Sequence, residues 1–261
     1  MRTISRAVVI GSGRMALGLI PALRAANTLP VAHYSRTEEA GRKWRAAWGT
    51  EVVGAERLAD VPREVDAYLL AVADDALETV ARDLPSGVLR VHFAGAGPKE
   101  LPGGPAAVVW PIQTFADAGE PDWGKIHVAV SAEEDAAAAW ASVWAAHFAA
   151  SVTRVSFENR IRAHAAAVFA ANYTNRMFTH AQQLASEAGL PWEAYQPLIQ
   201  SICAAAASGQ SAAHQTGPAH RGDRTTLARH QALLSHRPAL AALYAACAAD
   251  LLPPDPHAST R

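Results

Sequence analysis

A glycine-rich turn near the N-terminus constrains this chain more than any other stretch. Residues 7–10 form an apolar run that suits a strand buried on both faces, and Gly11, Gly13 and Ala16 follow at Gly-x-Gly-x-x-Ala spacing. The first glycine permits a tight turn, the second lets backbone approach a pyrophosphate, and the small third residue lets the next helix pack closely. The context of strand, turn and helical pattern predicts a dinucleotide-binding fold rather than an ordinary strand-to-helix turn. The predicted cofactor contacts of this turn are Gly11, Ser12, Gly13, Arg14 and Met15.

The end of the second predicted strand, at 30–35, indicates which dinucleotide is bound. The chain reads Ser35-Arg36-Thr37 there, where an NAD-binding fold usually carries an acidic residue for the ribose 2′-hydroxyl. A carboxylate would repel a 2′-phosphate, whereas a guanidinium flanked by two hydroxyls would hold it. We therefore expect NADP(H) rather than NAD(H). The alternative interpretation of Arg36 is a solvated loop cation.

The order of predicted elements indicates an α/β protein with two domains. Strand and helix patterns alternate to about residue 155, which predicts an N-terminal Rossmann domain with a doubly wound parallel sheet over 1–155. No strand pattern follows, so 156–261 is predicted as an all-α C-terminal domain for substrate binding or dimerisation, beginning with one long helix over 157–188. Ala73 and Asp74 follow the strand predicted at 65–72, and ligands bind outside such strand ends. We expect both residues beside the cofactor.

Composition excludes several classes of partner. The chain has 261 residues, of which 50% are hydrophobic and 18% charged, as in a globular protein. The formal net charge of −1 predicts no general attraction to nucleic acid or to an anionic membrane. The first six residues lack the apolar core of a signal peptide, so a cytoplasmic location is expected. No metal site is predicted, because the spacing of the histidines matches no common ligand pattern; these are His214, His220, His230 and His236.

Candidate catalytic residues lie on the long predicted helix and after a strand. His164 and Asn172 share one face of an otherwise apolar helix, with Asn175 beyond them. The histidine would donate a proton to a nascent alkoxide or amine, and Asn172 would orient the substrate carbonyl. The alternative for His164 is a hydrogen-bonded core or interface histidine. Gln113 and Thr114 follow a strand end and are expected to face the cleft between the two domains.

A second concentration of polar residues spans 216–223. Arg221 is predicted to grip a substrate carboxylate with two hydrogen bonds. A glycine-rich turn followed by an Asp223 helix cap is the structural alternative.

Five motifs together resemble a bacterial family of Rossmann-like proteins, often labelled NADP oxidoreductases, that carry the C-terminal domain of unknown function "twenty-five-twenty". The motifs are Gly-Ser-Gly-Arg-Met-Ala at 11–16, Ala-Val-Ala-Asp-Asp-Ala at 71–76, Trp-Pro-Ile-Gln-Thr-Phe at 110–115, His-Ala-Ala-Ala-Val-Phe-Ala-Ala-Asn-Tyr at 164–173 and Thr-Gly-Pro-Ala-His-Arg-Gly-Asp at 216–223. The resemblance implies the two-domain fold of the wider 6-phosphogluconate dehydrogenase-like and pyrroline-5-carboxylate reductase-like group. It also implies a homodimer through the helical domain. Some relatives are thought to reduce ketopantoate.

Three positions depart from the family pattern. Trp110-Pro111 stands where the family usually has His-Pro, so a proton-donating role at that position does not carry over. Ala73 replaces a usual proline, and Ala94-Gly95 replaces a usual Ser-Gly pair. Two hypotheses follow. The chain is an NADPH-dependent reductase of a small carbonyl or imine, such as a 2-oxo acid, or it is an NADP(H)-binding sensor without turnover.

Overall fold

An eight-stranded sheet forms the N-terminal part of the chain. The computed structural model describes residues 3–49, 52–115 and 120–253. The strands are β1 (Arg6–Ile10), β2 (Leu29–Tyr34), β3 (Val53–Ala55), β4 (Ala67–Leu70), β5 (Leu89–His92), β6 (Ala106–Pro111), β7 (His127–Ala132) and β8 (Ser151–Arg154). Their spatial order is β3-β2-β1-β4-β5-β6-β7-β8. The first six strands therefore follow the Rossmann order, which confirms the predicted fold class.

The last two strands run opposite to the first six. β1 to β6 pair in parallel, β7 pairs antiparallel with β6, and β8 pairs in parallel with β7. A parallel crossover needs a long connection, usually an α-helix. The described part of the β6–β7 connection has only a short 3₁₀ turn at Trp123–Lys125, so β7 returns antiparallel. The sequence predicted a parallel sheet to about residue 155, so the antiparallel pairing of β6 with β7 departs from that expectation.

The helices of the described chain surround and follow this sheet. They are α1 (Arg14–Ala25), α2 (Glu38–Trp48), α3 (Leu77–Asp83), α4 (Asp135–Ala145), α5 (Phe157–Ala167), α6 (Thr174–Glu187), α7 (Gln196–Ala207), α8 (Arg224–Leu233) and α9 (Pro238–Leu251). A π-helical turn at Val168–Tyr173 joins α5 to α6, where one long helix was expected. Asp223 caps α8 by accepting the Thr226 N–H, as the structural alternative for this segment predicted. None of the helices in the described residues is both long and apolar enough to cross a membrane.

The core covers both faces of the sheet. Along β1, Ala7 and Val9 pack into one cluster, whereas Val8 and Ile10 pack into another. This alternation follows from the two-residue period of a strand. Helices cover both clusters, so the whole apolar run 7–10 is buried, as the doubly wound fold requires.

The chain divides into two compact units, Met1–Met177 and Phe178–Arg261. The first unit holds the whole sheet together with α5 and the π-helical turn. The second unit holds α7, α8 and α9, with Ala205, Ala219 and Leu234 buried. The last strand ends at Arg154, next to the predicted domain boundary at 155. That boundary stays a prediction.

Candidate active site

The glycine turn has the conformation that its spacing predicts. Gly11 has a φ of 107°, and a Cβ there would lie 2.3 Å from the Ala71 carbonyl oxygen. Any other residue would therefore be strained and would clash with the end of β4. A Cβ at Gly13 would meet no atom within 4 Å, so the turn borders open space at the start of α1. Ala16 is fully buried, and its carbonyl accepts a 2.8 Å hydrogen bond from the Trp44 indole.

A buried histidine contacts the glycine turn. No sequence motif indicated this residue. His33 Nε2 lies 2.8 Å from the Gly11 carbonyl oxygen, and its ring stacks on Trp44 with centroids 4.4 Å apart. Burial lowers the pKa of His33, and the neutral ring donates its Nε2 proton to Gly11. His33 thus fixes the carbonyl that precedes the predicted pyrophosphate site.

The turn and the end of β2 come together as the sequence predicted. Ser12 and Ser35 share a 2.7 Å hydrogen bond between their hydroxyls. Arg36 is exposed beside Ser35. Thr37 caps α2, because its hydroxyl accepts the Ala40 N–H at 3.4 Å.

Two other basic side chains near this site are engaged elsewhere. Arg42 lies 3.9 Å from a Glu38 carboxylate oxygen, and Lys43 lies 3.0 Å from one of Glu39. No ion pair of Arg36 occurs in the part of the chain that the structure describes, so its charge is available to a ligand.

The remaining predicted cofactor contacts lie around the same strand ends. Arg14 is exposed at the first position of α1, whereas Met15 packs partly against the core. Ala73 precedes a short 3₁₀ turn at Asp74–Ala76, directly after β4. Asp74 is exposed and makes no side-chain cap there. Because β4 is the parallel neighbour of β1, this turn and the glycine turn share one edge of the sheet.

A cavity of about 260 Å³ within the first unit brings four predicted residues together. Gln113, Thr114, His164 and Asn172 all line it. The rest of its lining consists of the indole of Trp110 and apolar side chains, namely Ile112, Ala167, Val168, Ala170 and Ala171. The other two predicted substrate residues lie outside this lining. Asn175 follows the π-helical turn in α6, and Arg221 belongs to the second unit.

The loop that follows β5 packs against the rings of His164 and Trp110 at Gly95. A Cβ at Gly95 would lie 2.2 Å from His164 Cδ2 and 2.7 Å from Trp110 Nε1. The rings of His164 and Trp110 therefore lie so close to Gly95 that any larger residue at this position would clash with them. Their centroids are 5.5 Å apart in an edge-on arrangement.

A buried arginine that was not predicted from the sequence binds the loop that follows β5. Arg160 of α5 is fully buried and donates to the carbonyls of Ala94 at 3.0 Å, Gly95 at 2.6 Å and Gly97 at 2.8 Å. Its Nε donates to the Ser131 hydroxyl of β7 at 2.8 Å. Arg160 lies one helical turn before His164, so it ties the helix that carries the histidine to the loop beneath it.

The π-helical turn forms part of the cavity wall. Val168 and Asn172 within this turn line the cavity, and Thr174 Oγ1 donates to the Phe169 carbonyl at 2.8 Å. Such turns are rare and occur often at functional sites. A π-helical turn contains more residues than a turn of α-helix. The side chains after His164 that line the cavity therefore differ from those that an uninterrupted α-helix would present.

His92 makes the stability of the first unit depend on pH. It is fully buried, with Nδ1 accepting the Ala94 N–H at 3.3 Å and Nε2 donating to the Pro98 carbonyl at 2.8 Å. Burial lowers its pKa from 6.5 to about 4. As pH falls from 6.5 to 4, the unfolded chain gains a proton that the folded chain excludes, so stability falls by up to about 3 kcal/mol.

Urea unfolding at pH 7 and pH 5 measures this loss. His92→Gln, which keeps a donor and an acceptor, should lose less stability between the two pH values than the unchanged protein does. The exposed His147→Gln is the control and should lose as much as the unchanged protein. An equal loss in all three proteins would contradict the assignment to His92.

Comparisons with known proteins agree with this architecture. Residues 126–251 match the family model described as "Domain of unknown function (DUF2520)". A crystal structure of a candidate NADP oxidoreductase from Bacteroides fragilis is similar over 95% of this chain and 98% of its own, with 29% identity and a TM-score of 0.80. No curated protein matches the chain.

More distant structures share the fold. An imine reductase variant from Myxococcus stipitatus, solved with NAD⁺, is 16% identical over 93% of this chain and 91% of its own, with a TM-score of 0.61. A pyrroline-5-carboxylate reductase from Coxiella burnetii is 17% identical over 97% of this chain and 100% of its own, with a TM-score of 0.55. The order of the strands and the glycine turn are those of a Rossmann fold, and residues 126–251 are similar to the DUF2520 family.

Proposed function

We propose that the protein is an NADPH-dependent oxidoreductase that reduces a small carbonyl or imine. The observation that carries this proposal is the cavity shared by Gln113, Thr114, His164 and Asn172. Gln113 and Thr114 follow β6, whose carboxyl end faces the same edge of the sheet as that of β1. Ligands of open α/β sheets bind at this edge. The resemblance to NADP oxidoreductases of the same fold supports the proposal.

The residues around the glycine turn fit the cofactor. The first N–H groups of α1 have no partner within the helix and face the open space beside Gly13, where a pyrophosphate would bind. Ser12, Ser35 and Arg36 would hold the 2′-phosphate. When bound, the reduced nicotinamide supplies the hydride.

The cavity residues would supply the remaining steps of the reaction. His164 would hold a proton for the oxygen or nitrogen that becomes basic during reduction. Asn172 and Gln113 would orient the substrate, with Thr114 as a further hydroxyl contact. Asn175 and Arg221 remain predicted substrate contacts, and Arg221 would matter most for a 2-oxo acid such as ketopantoate.

NADPH oxidation across a panel of 2-oxo acids, ketones and cyclic imines tests the activity. Turnover of at least one compound is the expected result. Cofactor binding without turnover on the whole panel would favour the alternative function, an NADP(H)-binding sensor. That alternative gains weight because His164 is the one ionisable side chain in the described lining of the cavity.

Arg36→Ala is expected to weaken NADPH binding by about 10- to 100-fold, because a charge-assisted contact to the 2′-phosphate is lost. NADH affinity should change little, since NADH lacks that phosphate. Titration of cofactor fluorescence measures both affinities. Arg42→Ala is the matched control, because Arg42 already pairs with Glu38. Unchanged NADPH affinity in Arg36→Ala would contradict the assignment.

We also propose a cytoplasmic homodimer. Large apolar side chains are exposed in both units, including Phe169 at 69% in the first and Leu198 at 62% in the second. Such exposure often marks a protein interface. Sedimentation velocity should show a dimer at micromolar concentration, and a monomer would refute this part of the proposal.

A further inference from the structure

Trp110 occupies a place in the cavity that the proposed function leaves unused. It is the penultimate residue of β6 and is only 6% exposed, yet its side chain lines the cavity. Its partner across the antiparallel pair is Ala129, which packs with Trp110 and Val108. A tryptophan fixed in this way presents its polar edge in one direction.

That edge lies near His164. The positions of Trp110 Nε1 and His164 Cδ2 both lie within 3 Å of where a Gly95 Cβ would be, so the two atoms are close neighbours. His164 Cδ2 is bonded to Nε2 of the same ring. Trp110 Nε1 and the Cδ2–Nε2 edge of His164 therefore lie next to each other over Gly95.

The indole N–H of Trp110 is an unused hydrogen-bond donor. The three other indoles that are as deeply buried all donate: Trp44 to Ala16, Trp123 to Gly18 and Trp144 to Thr28. Trp110 has no acceptor among the described residues. Its Nε1 is not fully enclosed by protein, unlike the unpaired Nε1 of Trp48, so a hydrogen-bond partner can reach it. An acceptor atom of a ligand in the cavity would provide that partner.

A second side chain presents donors to the same space. Gln113 Oε1 accepts the Thr114 N–H at 2.9 Å, which assigns the amide orientation and turns the two N–H donors of Gln113 away from this bond.

We propose that Trp110 is a substrate-orienting residue, whose Nε1–H donates a hydrogen bond to the carbonyl oxygen or imine nitrogen of the substrate beside His164. This inference rests on the proposed function.

The role follows from the chemistry of indole. Its N–H is a donor only and does not ionise in the pH range of the reaction. It therefore polarises the carbonyl or imine and keeps its proton at every pH at which the reaction runs. Removal of the N–H should weaken substrate contact without changing the shape of the pH profile.

The ¹H–¹⁵N spectrum of the deuterated, NADP⁺-loaded protein tests the contact directly. 2-Pyrrolidinone is the probe, because it is a neutral lactam with a carbonyl acceptor and the size of a cyclic imine. Cyclopentene is the control, because it has a similar size and no carbonyl or imine acceptor. The indole N–H signal of Trp110, assigned from its loss in Trp110→Phe, should move downfield with 2-pyrrolidinone and stay in place with cyclopentene.

Other outcomes separate the two proposals. If 2-pyrrolidinone shifts the amide signals of Gln113 and Thr114 but leaves the Trp110 indole unchanged, the inference is wrong and the proposed function stands. If saturating 2-pyrrolidinone shifts no signal of the cavity, the inference is contradicted, whereas the proposed function is decided by turnover on the substrate panel.

Kinetics with the best substrate of the panel supply a second measurement. Trp110→Phe keeps an aromatic ring and removes the N–H, so KM should rise about tenfold with the affinity for NADPH unchanged. Trp140→Phe on α4, outside the cavity, is the matched control and should keep the original KM. Should Trp110→Phe fail to fold, Trp110→Leu likewise removes the N–H and should also raise KM. An unchanged KM in a folded Trp110→Phe protein would overturn the inference.

Discussion

Replacing His164 with alanine is expected to lower kcat by about 10²- to 10⁴-fold and to leave the affinity for NADPH unchanged. A positioned general acid contributes an effect of that size, and His164 lines the cavity rather than the glycine turn. Stopped-flow turnover measures the first quantity and fluorescence titration the second.

His147→Ala is the matched control for this experiment. His147 is exposed, lies in the same unit and is absent from the cavity lining. Its replacement should leave both quantities unchanged. Equal turnover in His164→Ala would remove this histidine from the mechanism and would favour its alternative interpretation as a packed core or interface residue.

Arg160→Met is expected to destabilise the first unit by about 3 kcal/mol or more. The substitution keeps much of the side-chain volume but leaves the carbonyls of Ala94, Gly95 and Gly97 and the Ser131 hydroxyl without their donor. Hydrogen bonds to a charged group contribute about 1.5–3 kcal/mol each, and the relief of burying the cation offsets part of that loss. Urea unfolding followed by tryptophan fluorescence measures the change.

Arg162→Met on the same helix is the control, since Arg162 is exposed and bonds only the nearby Asn159 among the described side chains. It should change stability by less than about 1 kcal/mol. A similar loss in both variants would show that Arg160 contributes through general packing of α5. Arg160→Met should also reduce kcat, because the loop that packs against His164 loses its hydrogen bonds to Arg160. An unchanged kcat would show that this loop does not contribute to the reaction.

The sequence determined the dinucleotide fold and most of the strand and helix order. The glycine spacing is local information: Gly11 needs its positive φ because of the turn itself. Apolar runs and helical periods likewise depend on neighbouring residues, and the strands that they predicted at 7–10, 30–35 and 65–72 lie within two residues of β1, β2 and β4. The polar residues His164 and Asn172 were identifiable because they interrupt an apolar helix.

Only the tertiary structure decided how the candidate site is held. Arg160 reaches a loop more than sixty residues earlier in the chain, with separations of 63 to 66 residues. No local pattern encodes such a contact, and a lone arginine in an amphipathic helix has the same appearance as a solvated one. The reversal of β7 and β8 and the π-helical turn have the same origin. Each is fixed by packing between segments that are distant in sequence, whereas periodicity reports only which side of a segment is buried.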